Sequence, residues 1–312
     1  MKMTQTLERT AAAASVMPLA IDASDLRKAF GKVHAVDGVS LRVHPGEIIA
    51  FLGPNGAGKT TTIDLLLGLS EPDSGAVRVF GDPPRAAIAH GLVSAVLQTG
   101  GLLKDLSVRE TVELTASLFA DTRPVDEVLQ RAGIAEIAGR RVGLCSGGQQ
   151  QRLRFAMALL SDPGVLILDE PTTGMDVEGR RSFWRAIRAD AARGRTVLFA
   201  THHLDEADEY ADRIVLMNRG RIVADGTTAD IKNMVSGRTL TATVTDADPA
   251  SLAALPGVDS VEALGDRLSI YTRDADAVAR HLLTRTDARD IEIAAQSLES
   301  VFLALISEGT AS

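Results

Sequence analysis

The chain has 312 residues, enough for one large α/β domain and a smaller second one. A formal net charge of −8 argues against a protein held on nucleic acid by phosphate neutralisation, and a single cysteine rules out an internal disulfide. No stretch reaches the roughly 18 uninterrupted apolar residues of a membrane-spanning helix, so a pore would have to belong to another chain.

Residues 1–20, MKMTQTLERTAAAASVMPLA, read as a flexible tail, because Glu8 and Arg9 interrupt an alanine run too weakly apolar for a signal peptide. From Ile21 to Leu52 the pattern suits strands: VSLRV alternates, HPGE turns, and IIAFL is the continuous apolar run of a strand buried on both faces. TTIDLLLGL then reads as a helix, PDSG as a turn, and AVRVF as a short strand. Asp105 to Gly143 reads as mostly helical and opens on Ser107 and Glu110, spaced as a capping box. The runs VLIL (165–168) and VLFA (197–200) are two further buried strands, separated by a helix over Arg180 to Ala192. Strands alternating with helices predict an α/β fold with a mostly parallel sheet. Arg213 to Gly226 is expected to be a hairpin turning at Asn218 to Gly220. After Gly237 the order strand, helix, hairpin, helix, strand, helix predicts a small α+β domain of ferredoxin-like order, giving domains of 21–236 and 237–312.

GPNGAGKTT comprises Gly53, Pro54, Asn55, Gly56, Ala57, Gly58, Lys59, Thr60 and Thr61, and it stands between an apolar strand and a helix. That context makes it a P-loop, whose amides and Lys59 take the phosphates of ATP while Thr60 takes Mg²⁺. VLILDE places Asp169 at a strand end as the metal's second partner, with Glu170 next to it as general base for the attacking water. Gln98 ends LVSAVLQ and His202 follows VLFAT, so both are expected at the same sheet edge, Gln98 towards the metal and water and His202 beside Glu170. SGGQQQR supplies a second helix start, in which Ser146 caps and Gly147, Gly148 and Gln149 leave an anion site open. One nucleotide needs one cradle, so this second loop is expected to close on the nucleotide of another copy. The apolar stripe behind it is Leu153, Met157 and Leu160.

These motifs, with GMD at 174–176, resemble the ATP-binding subunit of an ABC transporter over about Ile21 to Gly226. The resemblance implies a P-loop NTPase fold of ABC type: a parallel core, an antiparallel β subdomain and a helical subdomain. It implies a homodimer of ATPase subunits, working with separate transmembrane permease subunits at the cytoplasmic face of the membrane and without nucleic acid. It puts Phe30 against the adenine and Asp176 in a loop linking the two ATP sites. Cys145 stands where the family commonly carries a larger apolar residue, and reads as a buried, inert thiol. SLESVFLALI resembles the C-terminal extension of ATPases of the daunorubicin-resistance type, which favours export of a drug-like or lipid-like compound by a permease docked near Gln98 and TGGLLKDL. The competing readings are a non-transport ATPase of the same class and a regulatory ATP-binding module; Glu170 and His202 count against the second, because a pure binder needs no general base.

Overall fold

The computed structural model describes residues 18–97, 101–234, 237–245, 247–295 and 298–308. Most of the expected N-terminal tail, 1–17, lies outside the described residues. By contacts the chain forms two compact units: one runs to His202 and takes in Met217–Ile222, and the other comprises His203–Leu216 and the chain from Val223 onwards.

The first unit contains, in chain order, β1 (Ile21–Phe30), β2 (Val33–Val43), β3 (Ile48–Leu52), α1 (Lys59–Leu66), β4 (Ser74–Val79), α2 (Pro84–Ala89), β5 (Val93–Val96), α3 (Val108–Ala116), α4 (Val125–Arg131), α5 (Gly147–Ala158), β6 (Val165–Asp169), α6 (Val177–Ala191) and β7 (Thr196–Ala200). β2, β1 and β4 make an antiparallel sheet, while β5, β6, β7 and β3 lie side by side in parallel. Every residue of β3, β6 and β7 is buried, which is why the runs IIAFL, VLIL and VLFA within them are continuously apolar instead of alternating. Aromatic side chains tie helices to strands behind the sheet edge. Phe155 of α5 meets Phe183 of α6 at 5.5 Å between ring centroids, and Trp184 meets Phe199 of β7 at 4.5 Å, both edge to face.

The expected helical stretch 105–143 resolves into α3, α4 and two short 3₁₀ turns, Ala135–Ile137 and Val142–Leu144. The Ser107–Glu110 capping box forms as read. α6 starts at Val177 rather than Arg180, because Asp176 caps it by accepting from the Gly179 N–H at 2.8 Å. On α5 Leu153 is buried as expected, as is Leu160 just past its end, but Met157 is only half-buried; Phe155, Ala156, Ala158 and the C-cap Leu159 complete the buried face.

The second unit contains α7 (Leu204–Tyr210), most of the hairpin β8 (Arg213–Asn218) and β9 (Arg221–Gly226), α8 (Thr228–Met234), β10 (Arg238–Thr243), α9 (Pro249–Ala253), β11 (Val258–Leu264), β12 (Arg267–Thr272), α10 (Ala275–Arg285), β13 (Arg289–Ala295) and α11 (Leu298–Glu308). Its four-stranded antiparallel sheet has the order β11-β12-β10-β13, the ferredoxin-like arrangement expected from the element sequence. One face packs Leu240, Leu268 and Ile270 against Leu252, Val278 and Leu282. α11 packs on α7 and α8, so the contact boundary falls earlier in the chain than the change of pattern at Gly237.

Candidate functional site

The register of the parallel strands brings three segments to one edge. Phe51 of β3 and Asp169 of β6 both pair with Ala200 of β7, so the loops beginning at Gly53, Glu170 and Thr201 leave the sheet at one level. That is the carboxyl edge, where open α/β sheets bind ligands.

The P-loop curls between β3 and α1 against fixed neighbours. A Cβ on Gly53 would lie 2.3 Å from the Met217 carbonyl oxygen, and one on Gly58, whose φ is +101°, would lie 2.1 Å from that of Ala35. Only glycine fits either position. The Gly220 N–H donates to the Ala57 carbonyl at 2.8 Å, and the buried Thr62 hydroxyl donates to the Gly58 carbonyl at 2.9 Å. Ala35, Thr62, Met217 and Gly220 therefore buttress the loop; sequence reading missed them because three of the four lie far from the motif and carry no signature of their own. Lys59 Nζ donates to the carbonyls of Gly53 (2.6 Å) and Pro54 (3.1 Å), which holds the ammonium over the loop. Burial pushes its pKa down, against the opposing pull of the Glu170 and Asp169 carboxylates. Asn55, Gly56 and Thr60 are exposed, and Thr61 is half-buried.

Asp169 ends β6 at 7% exposure. Burial raises its pKa, Glu170 and Asp64 raise it further, and Lys59 alone pulls it down. Among the described residues no cluster of three or more acidic, His or Cys side chains is set to hold a metal by itself, so a hard divalent cation such as Mg²⁺ at Asp169 would take further oxygen donors from elsewhere, and its charge would relieve the carboxylates. Glu170 stands in the left-handed region at φ 51°, unusual for a side chain of this size, while its N–H donates to the Ala200 carbonyl at 2.9 Å. Its Oε2 lies 2.8 Å from Nδ1 of His202. Lys59, Asp169, Glu170 and His202 thus converge as expected. Gln98 lies outside the described residues.

Ser146 caps α5 with a full capping box: its hydroxyl accepts from the Gln149 N–H at 3.3 Å, and Gln149 Oε1 accepts from the Ser146 N–H at 3.0 Å. The N–H groups of Gly147 and Gly148 stay outside that exchange. Ser146 and Gly147 are exposed, and a cleft of about 390 Å³ lined by Ser146, Gly148, Gln149, Arg152, Asp176 and Gly179 lies between the starts of α5 and α6. Cys145 is buried, and burial pushes its thiol pKa up against the pull of Arg140. Phe30, at the end of β1, is 58% exposed with Lys28 Nζ 5.8 Å from its ring centroid, which makes it a surface platform instead of a core aromatic.

The geometry agrees with three comparisons. A family model described as ABC transporter matches residues 36–173, and an AAA-domain model matches 140–208. The chain is similar to Nod factor export ATP-binding protein I of Paraburkholderia xenovorans (strain LB400), 38% identical over 295 residues that cover 92% of this chain and 96% of the relative. It is similar to the protein of the same name from Rhizobium sp. (strain N33), 37% identical over 297 residues covering 92% and 97%. Among solved structures, a nucleotide-free ATP-binding cassette from an ABC transporter superposes with a TM-score of 0.64 at 26% identity, over 70% of this chain and 94% of that one. The cbiO1 subunit of the Clostridium perfringens ABC transporter complex cbiONQ gives 0.63 at 28% identity, over 69% and 90%. With relatives of this identity spanning nearly the whole sequence and a P-loop, an Asp-Glu strand end and a following histidine gathered at one sheet edge, the chain belongs to the ATP-binding subunits of ABC transporters, a family of ATPases.

Proposed function

We propose that this chain powers export by a separate membrane permease, as one of two copies that close on two ATP molecules at the cytoplasmic face of the membrane. The observation that carries the reading is the Glu170–His202 contact of 2.8 Å, next to Asp169 and Lys59, because a module that only binds ATP needs no base with a partner to orient it. The loop from Gly53 to Thr61 takes the phosphates; Thr60, Asp169 and Gln98 would hold Mg²⁺, which would supply positive charge against the phosphates. Glu170 takes the proton of the attacking water, His202 holds Glu170 and meets the γ-phosphate, and Phe30 stacks on the adenine. Ser146, Gly147, Gly148 and Gln149 present their donors to the γ-phosphate held by the other copy, and Asp176 lies beside the same cleft.

Among the described residues no helix is long and apolar enough to cross a membrane, which fits a peripheral subunit. The exposed Leu103 in the segment after Gln98 offers the permease an apolar contact. Export follows from the relatives' name and from the likeness of the last helix to daunorubicin-resistance ATPases; the permease would select the drug-like or lipid-like cargo. Glu170→Gln tests the reading, since it keeps the shape and removes the base. Turnover should fall about 10²- to 10⁴-fold while ATP with Mg²⁺ holds the chain as a dimer in size-exclusion chromatography. Parental turnover in that variant would contradict it.

A further inference from the structure

At the amino ends of β6 and β7, opposite the nucleotide edge, the first unit holds a buried ionic cluster. Asp190, 3% exposed near the end of α6, is in direct contact with Arg195 and has Arg131 Nη1 and Arg193 Nη1 each at 3.3 Å. Arg195, itself 7% exposed, also donates to the Pro163 carbonyl and reaches Asp162 at 2.9 Å. Asp162 holds Arg123, whose backbone N–H donates to the Leu160 carbonyl at 2.8 Å, and Arg131 reaches Glu127 at 2.6 Å.

Four of the elements that meet at this cluster, α5, β6, α6 and β7, lead at their other ends to groups of the proposed site. α5 runs from its Ser146 cap back towards Leu160 and Asp162; β6 follows Pro163 and ends at Asp169 and Glu170. α6 runs from its Asp176 cap to Asp190, and β7 follows Arg195 and leads to His202. The helical subdomain adds α4 through Glu127 and Arg131. We propose that this cluster is the common rear anchor that sets the reach of Ser146 relative to Glu170, and that Arg131 is its positioning residue, its guanidinium joining α4 to α6 through Asp190. The proposal rests on the reading of Ser146 as a phosphate ligand. The lever is long: α5 has 12 residues, roughly 18 Å at about 1.5 Å each, so a tilt of about 5° at the anchor moves its Ser146 end about 1.5 Å. A displacement of about 1 Å is enough to slow a positioned reaction. Arg193 supplies the contrast, because it touches the same carboxylate from two residues past α6, an i,i+3 pair local to that end of the helix.

Arg195→Met would leave the Asp190 carboxylate buried without its closest counter-charge, so the experiment uses Arg131→Met, Arg193→Met and Ser146→Ala in the full chain. Turnover, ATP KM and the thermal midpoint from Trp184 fluorescence are measured for each. Arg131→Met should lower kcat about three- to thirtyfold with ATP KM held within about twofold, and Arg193→Met should leave kcat unchanged. Glu127→Gln is a milder lesion of the same link and should act in the same direction by less. Equal losses of kcat in Arg131→Met and Arg193→Met, or parental kcat in both Arg131→Met and Glu127→Gln, would overturn the anchor. Parental turnover in Ser146→Ala would instead remove the reading on which it rests, whereas slow Ser146→Ala beside parental Arg131→Met would refute the anchor alone.

Discussion

α1 begins directly after Gly58 and α5 begins with Gly147 and Gly148, yet the fold surrounds these two glycine-rich helix starts differently. The start of α1 is enclosed by its own chain: Ala35, Met217 and Gly220 pack on the loop, and Lys59 is folded over it. The start of α5 is closed only by its own capping box and faces a cleft. Two glycine-rich helix starts are therefore enclosed by the chain in one place and exposed in the other. What decides between them is the surrounding sheet, because β6 and β7 lead to two carboxylates and a histidine beside Lys59, while Gly147 and Gly148 have for neighbours the loop of Gly174 and Met175.

The sharpest way to break the contrast is to damage what both regions share. Trp184 is fully buried and bridges α6 to β7, so Trp184→Ala should cost about 3–5 kcal/mol in denaturant unfolding and degrade both sites together. The next test separates them. Lys59→Ala should weaken binding of a fluorescent ATP analogue to dilute protein about thirtyfold or more, since a buried phosphate charge loses its counter-ion, whereas Ser146→Ala should leave that binding unchanged and lose turnover. Equal effects of the two changes on single-copy binding would erase the distinction. Phe30→Ala should cost about 1 kcal/mol of nucleotide affinity, roughly fivefold, because stacking on an exposed ring is what it removes.

The sequence carried the enclosed site well, since a P-loop, an Asp-Glu strand end and a histidine each follow a buried apolar run whose end marks the sheet edge. It carried α5 equally well through Ser146 and its glycines. It could not show the left-handed Glu170, which depends on the loop that leaves β6, nor that Phe30 is a platform, since an aromatic at a strand end is core or surface according to what packs beyond it. α2, β5 and α8 escaped because runs of 4 to 7 residues are too short for a period to declare itself. The Asp190 cluster escaped for a different reason, its members being scattered from Arg123 to Arg195 with no common spacing.

The smallest expected effect compares the two capping boxes. Glu110 closes the box of α3, and its hydrogen bond from the Ser107 N–H holds its pKa below the usual carboxylate range. A depressed acid stabilises the fold fully above its unfolded value of about 4.3 and loses that contribution as pH falls through the lower folded value. Gln149 closes the box of α5 and does not titrate. Thermal midpoints between pH 7 and pH 3 should therefore show an acid-side loss, shared with other depressed carboxylates such as Asp37 and Asp73, that Glu110→Gln makes slightly smaller, while Gln149→Ala lowers stability without changing the pH profile.

The central claim is that the open half-site of one copy completes the enclosed cradle of another, and complementation tests it most directly. Lys59→Ala and Ser146→Ala chains are each assayed alone and then mixed in equal amounts with ATP, Mg²⁺ and the permease. Each alone should be nearly inactive, whereas mixed dimers carry both lesions in one composite site and none in the other, so the mixture should regain ATP hydrolysis. A mixture no more active than the average of its two components would contradict a site shared between copies.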